Sequence, residues 1–268
     1  MGAVADSPDA APPLHPVQPA CVGVENAVTS SHRIIELDIA RALALCGMIL
    51  FHLVWDLEFF GHLPAGTVSS GIWPVFAKVV AGSFLFIAGV SLALAHAEEI
   101  RWRAALRRLS VIALAAAAVS VATWIAIPDA FVFFGILHSI AVASLVSMAF
   151  LRIPVMLTLV AAAIVLALPM IYSSPVFDAP WLVWTGLAER TPRSVDFEPL
   201  FPWLGPCLLG VAFARLAGRA GLWRALRRPG PARPLARRAA WFGRHSLAIY
   251  LVHQPILIGL LWGVAQFA

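Results

Sequence analysis

Apolar positions in this chain come in long unbroken runs instead of alternating with polar ones. Seven such runs lie near 37–57, 72–95, 109–127, 132–151, 154–172, 200–217 and 241–265, with Pro, Gly and charged residues collected between them. A helix needs about 20 consecutive apolar residues to cross the hydrocarbon core of a bilayer. Strands of a membrane barrel would instead alternate apolar and polar over about ten positions. The pattern predicts an all-α fold, a polytopic bundle of about seven transmembrane helices. Residues 1–31 are rich in Ala, Pro, Ser and Val and carry Asp6, Asp9 and Glu25. No basic stretch followed by an apolar one marks a signal peptide there, so a disordered cytoplasmic tail is expected. Residues 32–268 are expected to form one transmembrane domain.

Composition agrees: 61% of residues are hydrophobic and 12% charged, with a mean hydropathy of +0.87. A soluble chain carries about 25% charged residues, so this one has too little polar surface to face water all round. The net charge of +5 would suit a nucleic-acid partner in a soluble protein, but the positions of the charges explain it better. Arg101, Arg103, Arg107, Arg108, Arg152, Arg215, Arg219, Arg224, Arg227, Arg228, Arg233, Arg237, Arg238 and Arg244 fall on one side if seven helices alternate, with Arg33 and Arg41 at the start of the first. The other side carries Arg190 and Arg193 among Asp178, Glu189, Asp196 and Glu198. The positive-inside rule then places the N-terminus in the cytoplasm and the C-terminus outside, which in a bacterium means the inner membrane and the periplasm. No nucleic-acid partner is implied; the bilayer is the expected one. Cys21, Cys46 and Cys207 form no CxxC pair, so neither a disulfide framework nor a zinc site is expected. No metal-ligand cluster is evident.

An ionisable side chain in a membrane span costs about 2.5–3.5 kcal/mol on insertion scales and marks function by default. The first helix, RIIELDIARALALCGMILFHLVWDLEFFGH from Arg33 to His62, concentrates such residues. Asp38 and Arg41 are three apart, and His52 and Asp56 four apart, so each pair shares a helix face. Arg41 and His52 are eleven apart, or three turns, which is about 16 Å along the axis. The four make one polar stripe. Helix-to-helix hydrogen bonding would account for it without chemistry. The sharper expectation is that Asp56 fixes the tautomer of His52 and raises its basicity, as a general base requires.

Other polar positions are weaker. Lys78 in the second run either snorkels to the interface or takes part in the site. His138 in FGILHSIAVASL and His253 in SLAIYLVHQP are further intramembrane imidazoles, secondary candidates with structural roles as the plainer reading. His245 and Ser246 read as the residues that open the last helix. Gly82 and Gly89 suit close helix packing. Trp181 and Trp184, in the connection 173–199, read as an interfacial aromatic belt or as a cap over a cleft.

The segments RIIELDIARALALCGMILFHLVWDLEFFG, FLFIAGVSLALA, FGILHSIAVASL, FPWLGPCLLG and FGRHSLAIYLVHQP, spread over about 32–265, resemble the heparan-alpha-glucosaminide N-acetyltransferase catalytic-domain family. The spacing from Arg41 to His52 is also similar to the Arg-to-His signature of the wider membrane acyltransferases. The resemblance implies transfer of an acyl group, usually acetyl, from cytoplasmic acyl-CoA to a carbohydrate or glycolipid acceptor on the other side. It maps Asp38 and Arg41 to acyl-CoA binding and His52 to catalysis. In the lysosomal members the position of His52 looks like an Asn, and a catalytic His falls nearer to His62 here. His52 and His62 therefore compete, with His52 favoured by spacing and by Asp56. Acetyl-CoA is the expected donor substrate, no metal is implied, and a homodimer is left open. The alternative is a proton-coupled transporter using the same stripe as a relay, although no inverted repeat accompanies it.

Overall fold

The computed structural model describes Gly2 and residues 34–227 and 234–266. The expected tail, with Cys21, lies outside the described residues, as do Arg33, Arg228 and Arg233. Among the described residues the secondary structure is helical, without strands. Helices run over α1 (Ile35–Phe59), α2 (Trp73–Ala95), α3 (Trp102–Ala126), α4 (Ile136–Ala149), α5 (Val155–Ile171), α6 (Leu200–Arg219), α7 (Leu222–Leu226), α8 (Pro234–Arg244) and α9 (Ser246–Ala265).

Each predicted run is a helix, with two changes. The third begins at Trp102, so Arg103, Arg107 and Arg108 lie inside α3 and not in a connection. Long basic side chains carry their charge outward along an apolar stem, so they do not stop a helix near the interface. The last run is divided. α8 ends at Arg244 and α9 starts at Ser246, with His245 between them in the N-cap position. No side chain caps α9, and His245 bonds the Trp241 carbonyl through Nδ1 at 2.9 Å.

Among the described residues five helices, α1, α2, α3, α6 and α9, are long and apolar enough to cross a membrane. Their outward faces carry exposed Leu114, Val121, Ile125, Leu260 and Trp262, as a lipid-facing surface requires. α4 and α5 are shorter, at 14 and 17 residues. The stretch before α4 is extended but buried against protein. Val195 donates to the Ala130 carbonyl at 2.9 Å and Glu198 to that of Phe134 at 3.1 Å. Val132 donates to Thr123 Oγ1 at 3.0 Å and accepts from Ser120 Oγ. The backbone groups of this stretch are thus paired although it forms no helix.

The core is centred on the crossing of α2 and α6. A Cβ on Gly89 would overlap the Cys207 carbonyl, and one on Gly210 would overlap that of Phe86. The two backbones touch, as small residues permit in membranes. Gly82 is less confined, with Trp203 at 3.7 Å and Pro206 at 4.0 Å from its built Cβ. α8 packs on the start of α1 in the same manner, Gly243 against the Asp38 carbonyl.

Candidate functional site

The stripe on α1 is divided between two sets of partners. Near its start, Arg41 donates through Nη1 to Asp38 Oδ1 at 2.5 Å and through Nη2 to Ser91 Oγ on α2 at 2.6 Å. Asp38 is buried at 6% exposure. The pair is thus fixed between α1, α2 and the Gly243 contact of α8.

Three turns further on, α1 meets α9. His52 Nδ1 lies 2.7 Å from His253 Nε2, with the rings stacked at 4.8 Å between centroids. His253 Nδ1 lies 2.5 Å from the Tyr250 carbonyl. A carbonyl only accepts, so His253 carries its proton on Nδ1, and in the neutral ring Nε2 is an acceptor. His52 therefore donates from Nδ1 and keeps its lone pair on Nε2. The tautomer of His52 is set by a second histidine.

The expected pairing of His52 with Asp56 is replaced. Asp56 is fully buried, and its Oδ1 accepts from Gln254 Nε2 at 2.7 Å, while Oδ2 has no hydrogen-bond partner among the described residues. Spacing of four residues brings two side chains near each other but does not make them bond. The adjacent His253 and Gln254 of α9 instead take one partner each from α1.

His62 lies in the turn after α1, exposed, with its backbone N–H on the Leu57 carbonyl at 2.8 Å. His138 is built into the start of α4. Its Nδ1 accepts from the Gly135 N–H at 3.2 Å, so its Nε2 bears the proton and faces Ser120 Oγ at 3.4 Å. Lys78 is exposed near the start of α2 and acts electrostatically on Glu198. Trp184 packs on Phe134, whereas Trp181 is exposed.

A cavity of about 530 Å³ runs between α1, α2, α3, α4 and α9. Arg41, Arg107 and Arg108 line one part of it, and Ile136 and Tyr250 another. Tyr250 is the residue whose carbonyl holds His253. The arginine-rich connections gather at one end of the bundle: Arg152 bonds the Glu98 carbonyl at 2.7 Å, and Arg215 bonds those of Phe150 and Ile153 at 3.2 and 2.5 Å. Beyond Ile136 the charge is opposite. Asp196 Oδ2 accepts from the Ile136 N–H at 3.1 Å. Burial pushes the Asp196 carboxyl up to about 6, against the pull of that hydrogen bond. Burial and the neighbouring Asp196 push Glu198 up to about 8, with Lys78 opposing.

Gln254, the Tyr250 carbonyl and Ser91 were not foreseen from the sequence. The run HQP after an intramembrane Tyr was the available sign for Gln254. Among the described residues no group of three or more His, Cys, Asp or Glu is placed to hold a metal ion.

The sequence model of a family described as heparan-alpha-glucosaminide N-acetyltransferase, catalytic, matches residues 33–255. Comparison with curated proteins and with solved structures finds no match. The match covers most of the chain, and the chain belongs to that family. It is an integral membrane protein of acetyltransferase type.

Proposed function

From that membership, we propose that the protein moves an acetyl group from acetyl-CoA, bound from the cytoplasmic face, to an amine or hydroxyl of a carbohydrate or glycolipid on the opposite face, with His52 as the base. The observation that carries this reading is the hydrogen-bonded chain from the Tyr250 carbonyl through His253 to His52. It leaves an unprotonated Nε2 on an imidazole held from behind, the arrangement a general base needs.

The donor's phosphates call for cations, which Arg41, Arg107 and Arg108 supply along the cavity. The rise from Arg41 to His52 is about 16 Å, which the extended pantetheine arm spans. In the transfer, His52 Nε2 takes the proton of the acceptor N–H or O–H as its lone pair attacks the thioester carbonyl. The tetrahedral intermediate collapses with cleavage of the C–S bond. The thiolate of CoA recovers the proton from His52, so the products are acetylated acceptor and CoA. His253 shares the charge of the transient imidazolium across their hydrogen bond. An acyl-His52 route would use the same nitrogen; it differs in leaving label on the protein when acceptor is absent.

Purified protein and radiolabelled acetyl-CoA test the reading. Transfer or hydrolysis by wild type is expected, with a loss of about 10²–10⁴-fold in His52→Ala and little change in His62→Ala. Loss in His62→Ala alone would move the catalytic role to His62. Folded wild type that neither binds nor turns over acetyl-CoA would overturn the donor assignment and favour the relay of a transporter.

A further inference from the structure

A second, smaller cavity of about 160 Å³ lies at the arginine-rich end, between the end of α2, the first turn of α3 and the inner half of α4. Ala104 and Arg108 line both cavities, so the two adjoin. Its walls include two polar side chains buried beyond nine-tenths, His96 at 6% and Ser144 at 4% exposure. His96 Nδ1 bonds the Leu92 carbonyl at 2.9 Å and must donate, so Nε2 is its remaining nitrogen. Neither His96 Nε2 nor Ser144 Oγ has a hydrogen-bond partner among the described residues. Each such orphan bears the desolvation cost of a buried polar group with nothing to offset it, and calls for an explanation.

The surroundings select the charge of what would satisfy them. Arg101 and Arg108 both line the space. Arg101 is held over it by bonds from Nε and Nη2 to the Ala95 carbonyl at 3.2 and 2.9 Å. The first turn of α3, a helix of 25 residues whose N-cap is Arg101, has no side-chain cap, and Ala104 and Ala105 of that turn line the cavity. Helix N-termini and guanidinium groups together favour phosphate oxygens. Glu98 and Glu99, the nearest acids in sequence, are exposed and do not line it.

We infer that this cavity binds a phosphate monoester group, held by Arg101, Arg108, Ser144 Oγ and His96 Nε2. His96 donates from Nδ1 to the Leu92 carbonyl, and its Nε2 accepts from the P–OH of the monoester. The group comes either from the nucleotide end of the donor, whose acyl arm then passes Arg108 into the larger cavity, or from a lipid headgroup. The first source rests on the donor assignment made above; the second does not.

The full-length protein in phosphatidylcholine nanodiscs distinguishes these. Binding of CoA and of dephospho-CoA, which lacks the ribose phosphate, is measured by calorimetry for wild type, Ser144→Ala, His96→Ala and Arg101→Gln. Thermal stability is recorded with inorganic phosphate and with phosphatidic acid in the disc. With the donor as source, wild type prefers CoA at least tenfold, and the variants lose that preference while binding dephospho-CoA as wild type does. With a lipid as source, CoA and dephospho-CoA bind alike or not at all, and phosphatidic acid raises the melting temperature of wild type but not of Ser144→Ala. CoA binding without preference, and no stabilisation by either phosphate, overturns the phosphate site and leaves the donor assignment standing. Stabilisation by phosphate without CoA binding does the reverse. Ser144→Ala removes one oxygen with minimal repacking, so its folding is not in question even where His96→Ala fails to fold.

Discussion

Substituting the glycines at the crossing of α2 and α6 separates backbone contact from ordinary helix packing. An added Cβ at Gly89 meets the Cys207 carbonyl and lies 3.1 Å from the Val211 nitrogen; at Gly210 it meets the Phe86 carbonyl and lies 3.0 Å from the Val90 nitrogen. These obstacles are backbone atoms, which cannot rotate aside as a side-chain tip can, so the helices must part. Overpacking of this kind costs about 1–3 kcal/mol, and the helix-propensity gain of Gly→Ala returns about 1 kcal/mol at most. We expect Gly89→Ala and Gly210→Ala each to lose about 2 kcal/mol, a fall in melting temperature of about 4–8 °C. The double variant should lose less than the sum, by about 1 kcal/mol, because helices already parted make room for the second methyl. Gly82→Ala, whose Cβ would make only ordinary van der Waals contacts with Trp203 and Pro206, is the control and should be neutral or slightly stabilising. The assay is thermal unfolding in detergent in a Cys21→Ser, Cys46→Ser background, where Cys207 is the remaining thiol. Cys207 is fully buried at this crossing, so its reaction with a maleimide dye reports the separation directly. Melting within about 1 °C of wild type for both variants, with Cys207 still unreactive, would refute contact between the two backbones.

Three further outcomes are expected. Glu198, raised to about 8 from an ordinary 4.5, binds more protons folded than unfolded, so its burial destabilises progressively as pH rises from about 5 to about 8; Glu198→Gln should therefore gain melting temperature over wild type across that window, and a constant difference would contradict it. Gln254→Leu strands the Asp56 carboxyl and should cost about 1–3 kcal/mol, most of which returns in the Asp56→Leu, Gln254→Leu double variant; simple additivity in a denaturation cycle would show that the two side chains do not depend on each other. His138→Ala should lose about 1 kcal/mol of stability through the start of α4 yet leave the pH profile of acetyl transfer unmoved, and a shifted profile would place His138 in the chemistry.

The helices were legible because a bilayer imposes a plain rule: unbroken apolar stretches of a fixed length. The rule failed where residues satisfy it ambiguously. Arg103, Arg107 and Arg108 read as a loop because they are charged, but their stems lie along α3. Trp241 and Phe242 read as part of the last span because they are apolar, but they belong to α8, whose arginines face away. At the site, helical spacing correctly put Asp38 beside Arg41, a pair within one turn. It named His52, Asp56 and His253 without the right partners, since the contacts of His52 and Asp56 come from α9, about 200 positions later. Local periodicity carries no information about which distant helix arrives at a given face. His96 and Ser144 escaped notice for a related reason: a lone His at a helix end and a Ser among alanines become conspicuous only once their partners prove to be missing.

The clamp of α9 on α1 also orders events during synthesis. α1 leaves the ribosome well before α9, so His52 and the carboxyl of Asp56 must reside in the membrane while the intervening helices are made. Throughout that interval the first helix is a marginal insert, carrying side chains that lipid does not solvate. Only the arrival of His253 and Gln254 converts it into a settled member of the bundle. A nascent chain stalled before residue 253 thus leaves an imidazole and a carboxyl on an otherwise apolar α1 without the partners that α9 brings.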